Sequence, residues 1–273
     1  MFSRVVAADR PSLPSIAIKA TRNSYSDLLH LLLSNQSDIL CHDLRRALQG
    51  SGACLIEDFF GGSAKVALRV GSGRSSSLSR LANGTTISDR EILGVIVRKP
   101  SFEVRDGWST GDAKYLYAEK EAALLGWIWS LCCPVINLYT PELWFGPCDS
   151  LAYWSGRLEQ VGLEPERSTQ GVPSRSYLAS VIGSRVIWDE GAPKRLACLN
   201  NALLEFTREL GLTYVEFRID DSINGPRVSA VEPFPKYDGF CLLSRQKIVA
   251  ELIAQLTSSK ETVATRTESD SWF

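Results

Sequence analysis

The stretch "LTYVEFRIDDSINGPRVSAVEPFP", Leu212–Pro235, places two apolar alternating runs on either side of Asn224–Gly225. Asn and Gly accept the left-handed backbone of tight turns at least cost, so the two runs are expected to pair as a β-hairpin. Residues two apart in a strand share a face, which puts Glu216 beside Arg218. The second run ends at Glu232. Pro233 and Pro235 follow at once, with Phe234 between them, and proline cannot donate to a ladder. A carboxylate at the end of an apolar strand holds a metal ion, pairs with a cation or stays solvated, and the residues alone leave these open.

Working outward from this hairpin, "LSRQKIVAELIAQLTS" reads as a terminal helix. Upstream, "PKRLACLNNALLEFTREL" is a helix with Pro193 in its first turn, and "SYLASVIGSRVIWDEG" is a second hairpin turning at Gly183–Ser184. Hairpin, helix, hairpin, helix is an α+β order, assigned to residues 164–257. The polar stretch 258–273 is expected to be a disordered tail.

The first 163 residues have a different texture. Strands are expected at "SIAIKAT" (15–21), "ACLIEDFF", "KVALRV", "ILGVIVRKP" (92–100) and "PVINLY". Helices are expected at 24–36, with Leu28, Leu29, Leu32 and Leu33 on one face, and from near Ser37 to Gly50. Two more are expected, at 111–132 with Leu116, Ala123, Leu124, Trp127 and Leu131 inward, and at 146–163 ending at Gly162. "VGSGRSSSLSRLANG" (70–84) reads as a Gly/Ser loop, and Trp144 and Phe145, in "YTPELWFGP", as a surface for a partner. Alternating strands and helices argue for an open α/β sheet over residues 1–163. Arg98 and Lys99 end the strand expected at 92–100, where ligand loops of such sheets lie, and are candidates for holding an anionic group.

Bulk properties narrow the function. The chain has 273 residues, 44% hydrophobic and 22% charged, with a formal net charge of −1. No bulk field draws it to nucleic acid or to anionic lipid. Seven cysteines without a CxxC pair suggest neither a disulfide framework nor a zinc knuckle, and reduced thiols fit a cytoplasmic protein. His30 and His42 are the two histidines, both in a leucine-rich stretch, which argues against histidine-based catalysis. The apolar run ending at Pro134 is too short for a membrane span, and the first dozen residues lack the apolar core of a signal peptide.

Taken in order, these segments resemble the ATP-grasp proteins of ribosomal peptide-macrocyclisation systems, the graspetide ligases. The resemblance rests on "VIVRKP", the helix Asp112–Leu131 followed by "PVIN", the helix ending "LEQVGLEPE", "YLASVIGSRVIWDEG" and the closing hairpin. It implies an ATP-grasp-like fold and, for a full member, an ATP- and Mg²⁺-dependent ligase that joins a carboxylate to an amine or a hydroxyl. Members take the metal on an acid of the first hairpin strand and on Glu and Asn of a closing Glu-Val-Asn-Pro. Here Arg218 falls at the first-strand acid and Phe234 at the Asn, and Glu232 alone remains as a metal candidate. About ten residues separate "GLEPE" from "SYLAS", where members insert the nucleotide-covering subdomain with its lysines.

The expectation is therefore a shortened fold, an N-terminal α/β domain and a smaller α+β domain without the central subdomain. Such a protein would act without cofactor as a non-catalytic partner or peptide-binding component of a peptide or natural-product modification pathway. Its partner would be a peptide or protein, with a second copy of the chain as a further candidate. The alternatives are an active ligase using ATP and Mg²⁺, and a cleft adapted to another small-molecule reaction. The candidate ligand-binding residues are Arg98, Lys99, Glu216, Arg218 and Glu232.

Overall fold

The run Leu29–Leu33 forms strand β1, and all five of its side chains are buried. It lies inside a parallel sheet ordered β2-β1-β6-β7, with β2 at Ala53–Glu57, β6 at Ile92–Val97 and β7 at Val135–Ile136. A parallel strand is covered on both faces, so it reads as a near-continuous apolar run, here four leucines with the buried His30 among them. This overturns the helix expected over 24–36. Four leucines around a buried His30 fit a buried strand as well as a helix, and pairing with Ala53–Glu57 and Ile92–Val97 settles it.

The computed structural model describes residues 29–34, 37–50, 53–57, 65–71, 74–81, 83–98, 110–148, 150–166 and 175–258. The expected strand at 15–21, Lys99 and the expected tail at 258–273, except Ser258 at the end of the last helix, lie outside the described residues.

Helix α1, Ile39–Ala47, starts where expected, with Asp38 as its N-cap accepting from the Cys41 amide at 3.1 Å. The serine-rich stretch is not a loop. Strand β3, Lys65–Gly71, pairs antiparallel with β4, Arg74–Arg80, which pairs with β5, Thr86–Ser88. Buried Ser77 receives the Trp127 indole N–H at 3.0 Å, so serine fills a strand position that composition assigned to a loop. Trp127 belongs to α2, Thr110–Ser130, which turns Leu124, Leu125, Trp127 and Ile128 inward. Leu116 and Ala123, expected inward, are exposed. Apolar residues occur on every side of α2, so spacing alone could not choose its buried face. The short helix α3, Pro141–Phe145, occupies the expected partner loop and leads to α4, Leu151–Gln160. Trp144 is fully buried there, with its indole N–H on Glu121 at 2.7 Å, whereas Phe145 is half exposed.

The C-terminal half is an antiparallel sheet ordered β11-β10-β8-β9. Its strands are β8 Arg175–Ile182, β9 Arg185–Trp188, β10 Tyr214–Ser222 and β11 Gly225–Glu232. Both expected hairpins form, with Gly183 at φ 55° and Gly225 at φ 100° supplying the turns. The expected helix after Pro193 starts as a 3₁₀ segment, Lys194–Leu199, and continues as α5, Asn200–Glu209. Asp220 and Asp221 belong to β10, and the Asp221 carboxylate takes the Arg195 guanidinium at 2.6 Å. Residues 164–166 run along the outer edge of β11 through Pro165 and Val228, and only residues 167–174 separate Glu166 from β8.

Alternation along β10 sends Val215, Phe217 and Ile219 to one face, where Phe206 of α5 meets Phe217 at a ring separation of 5.7 Å. The other face carries Tyr214, Glu216, Arg218 and Asp220. Helix α6, Leu242–Ser258, lies between the halves. Its Ile248, Leu252 and Leu256 share one apolar cluster with Leu32, Leu40 and Ile96 from the first half and with Ile182 and Tyr214 from the second. Gly94 permits that approach, because a Cβ there would stand 2.9 Å from the Leu256 side chain. Among the described residues, no helix is long and apolar enough to cross a membrane.

Candidate functional site

The segment that leaves β11, Pro233–Tyr237, crosses the junction between the two sheets and is anchored from both. Arg98 reaches it from the end of β6. Its guanidinium pairs with Asp38 at 2.8 Å and donates to the carbonyls of Pro235 and Lys236. Both members of the ion pair are nearly buried, at 12% and 10% exposure. Burial works to raise the Asp38 pKa, but the Arg98 charge and hydrogen bonds hold it below the ordinary aspartate value. Arg98, a candidate for holding an anionic group, is thus turned inward as a clasp.

Glu216 is buried on β10, opposite Glu232 on β11 and Ser180 on β8. Its carboxylate accepts the Tyr214 hydroxyl, the Lys236 amide at 2.8 Å and the Tyr237 amide at 3.1 Å. Burial raises its pKa above the usual glutamate value despite these three donors. Tyr237 itself has φ 67°, and its hydroxyl donates to Asp43 at 2.8 Å.

Glu232 has a cation partner, Lys236. Its Oε1 lies 2.8 Å from the Lys236 ammonium, with exposures of 27% and 69% for the Glu and Lys side chains. Arg218 shares the Glu216 face, is exposed, and stands opposite Ala230, next to a bulge between Arg218 and Ile219. The turn of Pro233–Lys236 brings Lys236 back over Glu232, a path that strand alternation does not predict.

Phe234 joins an aromatic trio. It stacks on Tyr139 at 4.6 Å and meets Trp144 edge-on at 5.8 Å. The Tyr139 hydroxyl donates to the Pro233 carbonyl at 3.0 Å. Below them Asn137, buried with φ 61°, donates from Nδ2 to the Tyr139 hydroxyl at 2.9 Å and the Tyr214 carbonyl at 2.7 Å. Its Oδ1 accepts the amides of Thr213 at 3.2 Å and Tyr214 at 2.7 Å. Asn137, Tyr139, Tyr214, Asp38 and Tyr237 were not among the sequence candidates. Only Asn137 left a signal, as an Asn directly after a strand, where a left-handed residue ends it.

These donors do not fit a magnesium ion, which needs about six oxygens in near-octahedral array. Glu232 faces an ammonium, Glu216 spends its oxygens on three donors, and residues 218 and 234 offer a guanidinium and a phenyl ring. Among the described residues, no group of three or more His, Cys, Asp or Glu is placed to hold a metal.

No protein-family model and no curated protein matches this sequence. Solved structures do match. The macrocyclase MdnB from Microcystis aeruginosa MRC aligns with a TM-score of 0.59 at 15% identity, over 85% of this chain and 98% of that one. The macrocyclase MdnC, bound to its precursor peptide MdnA, aligns at 0.62 and 11% identity, over 82% and 99%. A RiPP-associated ATP-grasp ligase of Chryseobacterium gregarium, solved with ADP and a leader and core peptide, aligns at 0.59 and 8%, over 85% and 95%. The chain has an ATP-grasp ligase-like fold. At these identities the likeness is one of fold, and the ATP-grasp hairpin is where the chemistry of this chain is read from its own residues.

Proposed function

We propose that this ATP-grasp-like chain is a non-catalytic partner, or peptide-binding component, of a peptide or natural-product modification pathway. The observation that supports a non-catalytic role is the closing hairpin, where Lys236 occupies Glu232 and Phe234 is packed between Tyr139 and Trp144. An ATP-grasp ligase screens the phosphates of ATP with magnesium held by oxygen donors. This hairpin offers an ammonium, a guanidinium and a ring at those positions. The eight residues 167–174 are too few to form a nucleotide-covering subdomain. The peptide assignment draws on the structural neighbours, among them MdnC and the Chryseobacterium gregarium ligase, solved with peptides bound. A peptide chain or a protein is therefore the partner to seek, and a second copy of this chain remains a candidate.

The test is a titration of the purified protein with Mg²⁺–ATP. A ligand at 100 times its Kd stabilises the native state by about 2.7 kcal/mol. We expect no upward shift of Tm at millimolar Mg²⁺–ATP and no ATP turnover. A saturable rise of several degrees would overturn the reading and favour an active ligase.

Glu232→Gln separates the two roles of that carboxylate. The pair with Lys236 is partly exposed and contributes about 0–1 kcal/mol. The variant should melt within a few degrees of the parent and keep any peptide binding that the parent shows. A Mg²⁺-dependent activity lost in Glu232→Gln with the fold intact would instead assign Glu232 as a metal ligand.

A further inference from the structure

We draw no further inference here: the strongest candidate, the outward face of α2 where Tyr115, Ala122, Gly126 and Trp129 lie exposed, together with Phe145 of α3, carries nothing because nothing in the structure shows what covers it.

Discussion

Asn137→Ala is expected to lower stability by about 3–5 kcal/mol, because it strips partners from several buried groups at once. The Asn137 side chain is 1% exposed and serves the amides of Thr213 and Tyr214, the Tyr214 carbonyl and the Tyr139 hydroxyl. Each buried polar group left without a partner costs about 1–3 kcal/mol, and the costs within one network do not add fully. Alanine must also adopt the φ of 61°, which adds about 1–2 kcal/mol for an L-residue. At about 2–4 °C per kcal/mol for a protein of this size, Tm should fall by about 6–20 °C. Asn137→Gly relieves the backbone term and should be milder by about 1 kcal/mol. Asn137→Asp keeps an acceptor for the two amides but turns an oxygen toward the Tyr214 carbonyl. Burial and that repulsion would raise the new carboxyl's folded-state pKa above its unfolded value. Its deficit should then be full above the folded pKa and shrink as pH falls through it, since a protonated carboxyl can donate. Thermal melts of the three variants across pH 4–8 check this order, and an Ala variant within 1 kcal/mol of the parent would refute it.

The weight carried by Asn137 shows where sequence reading stopped. Strand β6 was legible because Ile92–Val97 is an apolar run of strand length that ends at a charge, and both hairpins were legible from their glycine turns. Strand β1 was not, since "LHLLL" satisfies two periods at once, and only pairing with β2 and β6 chooses between them. Strand β4 was missed because serine has no strong preference and its burial depends on Trp127 from a distant helix.

Within the site, the residue types at 218, 232 and 234 could be read along the chain. Their partners could not. Glu216 is fixed by amides 20 and 21 residues on, and Arg98 by a carboxylate 60 residues back. These contacts depend on the path of Pro233–Tyr237 across the junction, a tertiary fact with no local period. That a cation could pair with Glu232 was legible in the sequence, but which cation was not, and the tight turn after β11 delivers Lys236.

Arg98→Met should cost about 3–5 kcal/mol near neutral pH, the penalty for leaving one partner of a buried ion pair behind. Methionine preserves much of the aliphatic volume, so the loss reports the charge and its hydrogen bonds more than packing. Asp38 would stay nearly buried, still capping α1 through the Cys41 amide and accepting the Ser34 hydroxyl at 2.9 Å, but without its cation. The carbonyls of Pro235 and Lys236 would lose the guanidinium at the same time. The pH dependence distinguishes the charge effect from a packing defect. In the parent, Asp38 titrates below its ordinary value of 3.8, so its contribution is present above about pH 4 and is lost as pH falls through the folded pKa. In Arg98→Met, burial without the cation should raise that pKa above 3.8, and the variant then regains stability as pH falls through it. The gap between the two proteins should therefore be widest at neutral pH and narrow on acidification. Asp38→Asn retains a capping oxygen, and in the Arg98→Met background it removes the stranded charge. The double variant should then be more stable than Arg98→Met alone at pH 7. Denaturant unfolding of the four proteins at pH 7 and pH 4 measures the coupling. A pH-independent gap, or a double variant no better than Arg98→Met, would show that Arg98 acts through packing and not as the charged clasp that ties the Pro233–Tyr237 segment to the parallel sheet.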